Sequence, residues 1–568
     1  MSNKRKNNQI VQVLAIVGII ILVNVFASSI FTRFDLTDDK RHTISEVSRE
    51  LVANLKRPAY VTIYFGGDLP PYYETYEEGM DNLLSEIAIA SDGMFDYQFI
   101  DPSDDPELIE RFRSQGFPAI PLSVPKSFTS QEQVLVLPYA EINYQDRTSR
   151  INLIQNTYSW NQEGSVDIFV GEALRRFEYT ILSEVYNLSR ETYKTIGLLT
   201  GHGEYPKDVM GDLLQDTDRY YNYIEVDLSR GKPIGPSNLD LLLVMQPDSA
   251  LSEREKYEID QFLMRGGRAI FLMNLYNPDF SAGDQRAAFS FARNTNLDDL
   301  FMKNGVKLQY NLLNDPSHGK LAMGSFAAAL GPENVQVNWP FFPKIWDFSS
   351  HPTTRYLGKV LLRYASSIDT FYTEGVRHTV LMRTSTPTRI RESNPFIDIN
   401  SELQLIKQGA DRVHYKHPGQ ITGLIVEGTL QSLYQNRTPP TDSLAPDLPI
   451  NPFIGRSPAA VEPKYALISD GEFGKGIRAR DGQFYLPLEN KIMLTNLFDY
   501  MTDQDILARL RPRAYNDRML DPQAVIGNQF AIQLLNIGLP LLLVIGFGFV
   551  RTFLRRRRNR AKMNTTAN

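Results

Sequence analysis

An α/β fold in two units, strung between two membrane-spanning helices, is the architecture the sequence predicts, and three observations predict it. Between about residues 33 and 524, short apolar or alternating runs take turns with segments of helical periodicity. Some of those runs, Leu239 to Met245 above all, are apolar apart from a single residue (Asp240), as strands covered on both faces must be. Near each end of the chain stands an uncharged apolar stretch of about twenty residues, the length a helix needs to cross a bilayer.

The first stretch runs from Ile10 to Phe31, behind a basic leader (residues 1–9) that carries Lys4, Arg5 and Lys6. The second runs from Phe530 to Val550 and is followed by a basic tail (551–568) with Arg551, Arg555, Arg556, Arg557, Arg558, Arg560 and Lys562. Lys and Arg stay on the cytoplasmic side of a membrane, so both termini are expected inside and everything between them outside. Residues 1–27 also fit a cleavable signal peptide ending at Val25-Phe26-Ala27, but the apolar run is longer than a usual signal core. The second stretch read as a core helix would leave the arginine cluster unexplained; read as a span, the cluster is its stop-transfer signal. Pro540 predicts a kink, and Asn24, Gln533 and Asn536 need hydrogen-bond partners within lipid.

Charge follows the same division. Of 60 Lys and Arg, 3 precede the first span and 7 lie from Arg551 onward, so 50 accompany all 66 Asp and Glu in between, a net of −16. A segment this acidic is a poor match for nucleic acid or anionic lipid, whereas the basic tail suits the inner leaflet. The chain has no cysteine, which removes disulfides, thiolate metal sites and a cysteine nucleophile together.

The smaller unit is expected over residues 33–165. An amphipathic helix from Ser45 carries Val47, Leu51 and Leu55 and stops at Pro58. Tyr60 to Phe65 reads as a strand. A helix with Met80, Leu83, Leu84, Ile87 and Ile89 follows, then the alternating strand Phe95 to Ile100 and a short helix, Glu107 to Gln115. Gln133 to Leu137 and Glu141 to Tyr144 read as an antiparallel pair. This β-α-β-α-β-β order is thioredoxin-like in plan, without the Cys-x-x-Cys of redox members.

The larger unit is expected over 166–524. A linking helix (Val170 to Ser189) leads to the strand Thr195 to Thr200, which opens into Gly201-His202-Gly203-Glu204. A helix (Val209 to Tyr220), a strand (Tyr223 to Leu228) and the apolar strand Leu239 to Met245 follow. Ser252 and Glu255 form a capping box for the next helix, which ends at Gly266-Gly267 before the strand Arg268 to Met273. Such alternation predicts right-handed βαβ units in a doubly wound, flavodoxin-like sheet. Residues 314–352, rich in Gly, Pro and aromatics, read as an irregular insert. Strands return at Thr379 to Arg383 and Ile421 to Gly428. Residues 438–463, with seven prolines, read as an exposed loop, and Lys464 to Ser469 as a last buried strand backed by a helix, Asn490 to Tyr500.

The search for chemistry eliminates more than it finds. Gly471-Glu472-Phe473-Gly474-Lys475 falls short of a phosphate-binding loop: two residues separate its glycine from Gly-Lys where four are needed, and no Ser or Thr follows. There is no Gly-x-Ser-x-Gly elbow and no His-Glu-x-x-His pair. His414 and His417 sit in a polar, Pro-flanked stretch that reads as a solvent loop, so no metal and no cofactor is expected. The main candidate is Gly201-His202-Gly203-Glu204, at the strand end where open α/β sheets bind ligands. His202 and Glu204 are expected to project into the crevice, with Asn274, Asp470 and Glu472 ending neighbouring strands on the same side. Contact with a ligand or partner, acid/base work by His202 and Glu204, and a purely structural role in holding the loop are all open. The aromatic clusters Pro70-Pro71-Tyr72-Tyr73 and Trp339-Pro340-Phe341-Phe342-Pro343 serve either as sugar or partner platforms or as core.

Three segments together resemble one family: Thr200 to Glu204, Leu251 to Glu255 through Arg265 to Arg268, and Phe34-Asp35-Leu36-Thr37 with Thr43-Ile44-Ser45. They are similar to GldG, the gliding-motility-associated auxiliary subunit of an ABC transporter, over nearly the whole chain. The resemblance implies a large domain of class I glutamine amidotransferase-like fold, although this chain lacks the cysteine those enzymes need. It also implies a bacterial inner-membrane protein with a periplasmic ectodomain, working with a separate ATPase subunit and a permease subunit. A non-enzymatic, substrate-binding-like accessory role is the expectation, with an envelope or polysaccharide ligand as a candidate and no nucleic acid. The alternatives are a membrane-tethered hydrolase using His202 and Glu204, and a structural envelope scaffold.

Overall fold

The computed structural model describes residues 44–510 apart from short internal stretches, the longest being 154–165, 279–286, 323–335 and 441–449, together with 546–549 and 551–552. The first expected span, and the second up to residue 545, lie outside the described residues. Among the described residues no helix is long and apolar enough to cross a membrane. The chain divides into two compact units, Met1–Arg513 and Ala514–Asn568. In the second, the described residues are helical and exposed, Phe547 and Phe549 among them.

The first unit is a mixed α/β assembly, with ten α-helices in the chain among the described residues. It opens with α1 (Glu46–Ala53), whose N-cap Ser45 accepts a hydrogen bond from the Ser48 N–H. Then come β1 (Ala59–Tyr64), α2 (Pro71–Ala90), β2 (Phe95–Ile100) and α3 (Pro106–Ser114), the last capped by Asp105 with Pro106 in its first turn. β3 (Ile120–Ser127), β4 (Ser130–Val136), β5 (Tyr139–Tyr144) and β6 (Arg147–Asn152) follow. The sheet order is β2-β1-β5-β6, with β1 and β2 parallel and the other pairs antiparallel.

The pair expected between 133–137 and 141–144 does not form. β4 instead pairs with β3, which the sequence reading missed, and β5 lies between β1 and β6. The cause is local. Pro138 sits in a tight turn closed by Tyr139 N–H to the Leu137 carbonyl at 3.0 Å, which sends β5 off to β1 rather than back along β4.

Helix α4 (Val166–Ser189) supplies Phe177, Ile181, Leu182 and Val185 to the core under this sheet, against Val61, Ile63, Leu84 and Ile87. Although the sequence reading grouped it with the larger sheet, its buried side packs here. The chain returns to the same core at its end, where Leu507 and Leu510 of the helix Asp505–Leu510 are buried. Ile89 is 76% exposed, because it lies two residues, and so more than half a helical turn, past Ile87 on α2.

The larger sheet begins with β7 (Lys194–Thr200), α5 (Asp212–Thr217), β8 (Tyr221–Asp227), β9 (Leu241–Met245), α6 (Glu253–Met264) and β10 (Arg268–Leu272). Four more strands of the sheet are β11 (Val306–Leu308), β12 (Ile368–Thr370), β13 (Val376–Arg383) and β14 (Ile421–Gly428). β15 (Lys464–Ile468), the short strand Asp347–Phe348 paired with β13, and α7 (Leu488–Met501) complete it. Five parallel strands run in the order β8-β7-β9-β10-β15. β14 is antiparallel to β15 and carries both β12 and β13, so the sheet is mixed rather than parallel throughout. Alternate residues of each central strand face opposite cores. Leu242, Val244 and Phe271 share a cluster with Phe262 of α6, and Leu241, Leu243 and Ile270 with Leu494 and Leu497 of α7.

Three further expectations are corrected. The helix placed at 209–220 is a 3₁₀ turn (Lys207–Met210) and the short α5, broken at Gly211, whose φ of 45° and ψ of −117° no side chain tolerates well. The insert 314–352 leaves the larger sheet over most of its length, as expected, but it is not irregular. It holds the strands His318–Ala322 and Gln336–Ile345, paired with each other, and Trp339, Phe341 and Phe342 are core. The proline-rich loop is not simply exposed. Asn451 donates to Glu258 and the Ile454 N–H to Gln261 Oε1 at 2.6 Å, clamping the loop on α6. This cover, with Asp260 accepting from the Leu433 N–H, is why polar residues all round α6 are buried.

Candidate functional site

The parallel strands place their C-terminal ends along one edge, and the strand order reverses between β7 and β9. Ligands of open α/β sheets bind at such a point. After β7 the chain turns through Gly201 and Gly203, whose φ of 116° and 83° only glycine adopts freely. The His202 carbonyl accepts from the Asp248 and Ser249 N–H groups at 2.8 and 3.0 Å, so the loops after β7 and β9 are zipped together across the reversal.

His202 does not project into an open crevice. It is 7% exposed, and its Nε2 lies 3.1 Å from Glu255 Oε2, at the first turn of α6. Its Nδ1 faces Glu204 Oε1 at 3.4 Å, and Glu204 bends back to accept from the His202 N–H at 2.7 Å. Both ring nitrogens thus face buried carboxylates, with a hydrogen bond at Nε2 and none between Nδ1 and Glu204 Oε1. Glu255 in turn accepts from the Ser252 N–H and Oγ at 2.8 and 2.7 Å, so the capping box of α6 and the glycine loop form one network. Local sequence accounts for each half of this network. Their meeting is tertiary.

The remaining candidates gather at the ends of β10 and β15. Asn274 is buried; its N–H donates to Gln246 Oε1 at 3.0 Å and its Nδ2 to the Arg363 carbonyl at 3.3 Å. Asp470 accepts from the Arg363 and Glu472 N–H groups at 2.9 and 2.8 Å. Burial pushes its carboxyl up to about 7, against the pull of the Arg363 guanidinium. Burial would also raise Glu472, but Arg363 and Lys475 hold its carboxyl below the usual range. Lys475 Nζ is 2.9 Å from Glu472 Oε1, Arg363 Nη1 is 3.6 Å from Oε2, and the Tyr205 hydroxyl donates at 3.0 Å. Tyr205, under the Lys475 ammonium at 4.4 Å from its ring, bridges the ends of β7 and β15.

The structure thus brings Asn274, Asp470 and Glu472 into one network and joins Gly201, His202, Gly203 and Glu204 to Glu255 in another. Sequence reasoning missed Tyr205, Gln246, Arg363 and Lys475, and saw Glu255 only as a cap. Gln246 carried a signal: it is the first polar residue after the apolar run of β9, at a positive φ of 53°. Arg363 carried none, since it arrives from a distant segment. His414 and His417 are exposed, with His417 in an isolated bridge to Thr388. Tyr73, from the first aromatic cluster, is core.

The fold and these networks define a mixed α/β protein whose strand-end loops are locked by paired charges, and whose sequence has no phosphate-binding loop. The chain belongs to the family described as ABC-type uncharacterized transport system, the ABC transporter auxiliary proteins, whose model matches residues 193–497, from β7 to α7. It is an accessory component of an ABC-type transport system and associates with transporter components. A second model, a domain of unknown function (DUF7088), matches residues 38–143. No curated protein matches the chain. Among solved structures, similarity extends to the mmIFT52 N-terminal domain at 10% identity, covering 54% of this chain and 97% of that one with a TM-score of 0.29. It extends also to the exo-beta-1,4-mannosidase Op5Man5 from Opitutaceae bacterium strain TAV5, at 9% identity over 78% and 51% of the two chains with a TM-score of 0.20. Likenesses this weak carry no inference.

Proposed function

We propose that the protein is a non-enzymatic, two-span accessory subunit of an ABC transporter, anchored in the bacterial inner membrane with its α/β ectodomain in the periplasm. The family match across the larger sheet carries this reading. The apolar stretches at 10–31 and 530–550, with basic residues on their outer flanks, support the anchoring and orientation. ATP hydrolysis then belongs to a separate cytoplasmic ATPase subunit, and a permease subunit passes its conformational change through the paired spans to the ectodomain, while the basic tail lies on inner-membrane lipid. Burial of His202 between two carboxylates favours a structural over a catalytic role for it.

The finer fold reading belongs here too. The parallel order β8-β7-β9-β10-β15 is 2-1-3-4-5 in chain sequence, which supports a flavodoxin-like, amidotransferase-like core. The β-α-β opening of the smaller sheet supports a thioredoxin-like plan. A link to gliding motility rests on the GldG resemblance alone. Tagged protein purified from membranes tests the main proposal: an ATPase and a permease should co-purify with it, and recovery alone under conditions that preserve other transporter complexes would refute it.

A further inference from the structure

At the opposite edge of the larger sheet, where β15 begins and β14 ends, lies a cavity of about 310 Å³ unrelated to the loops after β7 and β15. Its size is that of a small-ligand site, about 300–1,000 Å³. The turn from β12 to β13 forms one wall and carries Tyr372, 88% exposed. Burying this ring contributes nothing to the fold, yet the turn that presents it is held firmly. The Phe371 N–H donates to the Gly305 carbonyl and the Thr429 N–H to the Gly375 carbonyl, each at 2.9 Å, and the Val376 N–H to the Thr373 carbonyl at 3.2 Å.

The other wall is polar and charge-balanced. Arg377 and Lys464 face Glu427 and Glu462. Arg377 Nη2 lies 2.6 Å from Glu427 Oε2, Tyr500 donates to the other Glu427 oxygen, and Lys464 Nζ reaches Asp503 at 3.2 Å. An anion finds little uncommitted positive charge among these groups, and the lining divides about evenly between polar and apolar surface, which suits an amphiphilic ligand better than a purely apolar one. A planar carboxylate–guanidinium pair offers acceptors and donors side by side, the arrangement that matches neighbouring hydroxyls. An exposed aromatic face beside it suits the C–H face of a sugar ring.

We propose that this cavity is a binding subsite for a neutral saccharide, with Tyr372 as the stacking platform and the Arg377–Glu427 pair as the hydroxyl-reading group. The assignment moves sugar recognition from the Trp339 cluster, which is core, to a ring the fold leaves outside. It stands apart from the transporter reading and survives or fails without it.

The test uses the full chain in phospholipid nanodiscs, free of sugar-headed detergent, with maltohexaose, cellohexaose and chitohexaose as probes in saturation-transfer NMR and calorimetry. At least one probe should bind. Tyr372→Ala should weaken it by about tenfold or more, equivalent to ~1.4 kcal/mol, and Tyr372→Phe should retain it. Arg377→Ala should also weaken it. Because Tyr372 is exposed, its variants should keep the parent's unfolding midpoint, which separates lost binding from lost structure. No binding by any of the three probes, or binding that survives Tyr372→Ala, overturns the proposal.

Discussion

His202 shows how a residue with catalytic credentials is spent on structure. Its imidazole lies between Glu255 and Glu204, both with nearly buried side chains. Removing the ring takes from Glu255 a buried hydrogen-bond partner while its bonds to Ser252 remain, at a cost of about 1–3 kcal/mol. His202→Ala should therefore lower stability by that order, read as a fall in the urea midpoint at neutral pH. A drop within the scatter of surface variants would show the network to be slack. Asp470 makes the second residue-scale case. Its folded carboxyl is raised to about 7 from 3.8, so between those values the native state binds more protons than the unfolded chain. Stability contributed by this group is thus present at low pH and lost as pH rises from 4 to 7, by about 1.4 kcal/mol for each unit of difference. Asp470→Asn, which cannot ionise, should remove that share of the slope. Midpoints measured at pH 4.5 and 7 for both proteins check it, and equal slopes would mean the carboxyl titrates normally.

At the level of elements, α6 depends on its start. Ser252 and Glu255 satisfy each other's backbone N–H groups, and Glu255 also holds His202. Ser252→Ala should cost about 1 kcal/mol as a lost cap, and combined with His202→Ala the loss should be less than additive, since both act through Glu255. A double-mutant cycle by chemical denaturation reads this directly. The same helix shows what sequence carries and what it withholds. Its N-cap, its length and its terminal glycines were legible because each is a local backbone requirement. Its burial on every side was not, because the cover comes from Leu433, Asn451 and Ile454, roughly 170 to 200 positions away. Strand partners failed for a different, local reason: 133–137 has plausible neighbours on both sides in sequence, and only the bend at Pro138 decides for the strand before it. Gly201, Gly203 and the carboxylates after β15 were readable as strand ends; Arg363, which ties Asp470 to Glu472, came from elsewhere in the chain.

Across the whole molecule, the smaller sheet is not independent of the larger, because the chain leaves it through α4 and returns after α7. Leu507 and Leu510 close the core built on α1, α2 and α4. Arg190, just beyond α4, donates to the Tyr220 carbonyl at 3.3 Å, and the Tyr220 hydroxyl to Glu184 at 3.2 Å, tying α4 to the edge of the larger sheet. Truncating a buried leucine costs about 2–5 kcal/mol, but that loss falls on the core that held it. In the double variant Leu507→Ala, Leu510→Ala, amide exchange should accelerate in β1 and α2 while β9 and β10, between the two cores of the larger sheet, keep their protection. Equal acceleration in all four would show instead that the two sheets open as one cooperative body, and that a change near residue 507 is felt as far as β9 and β10.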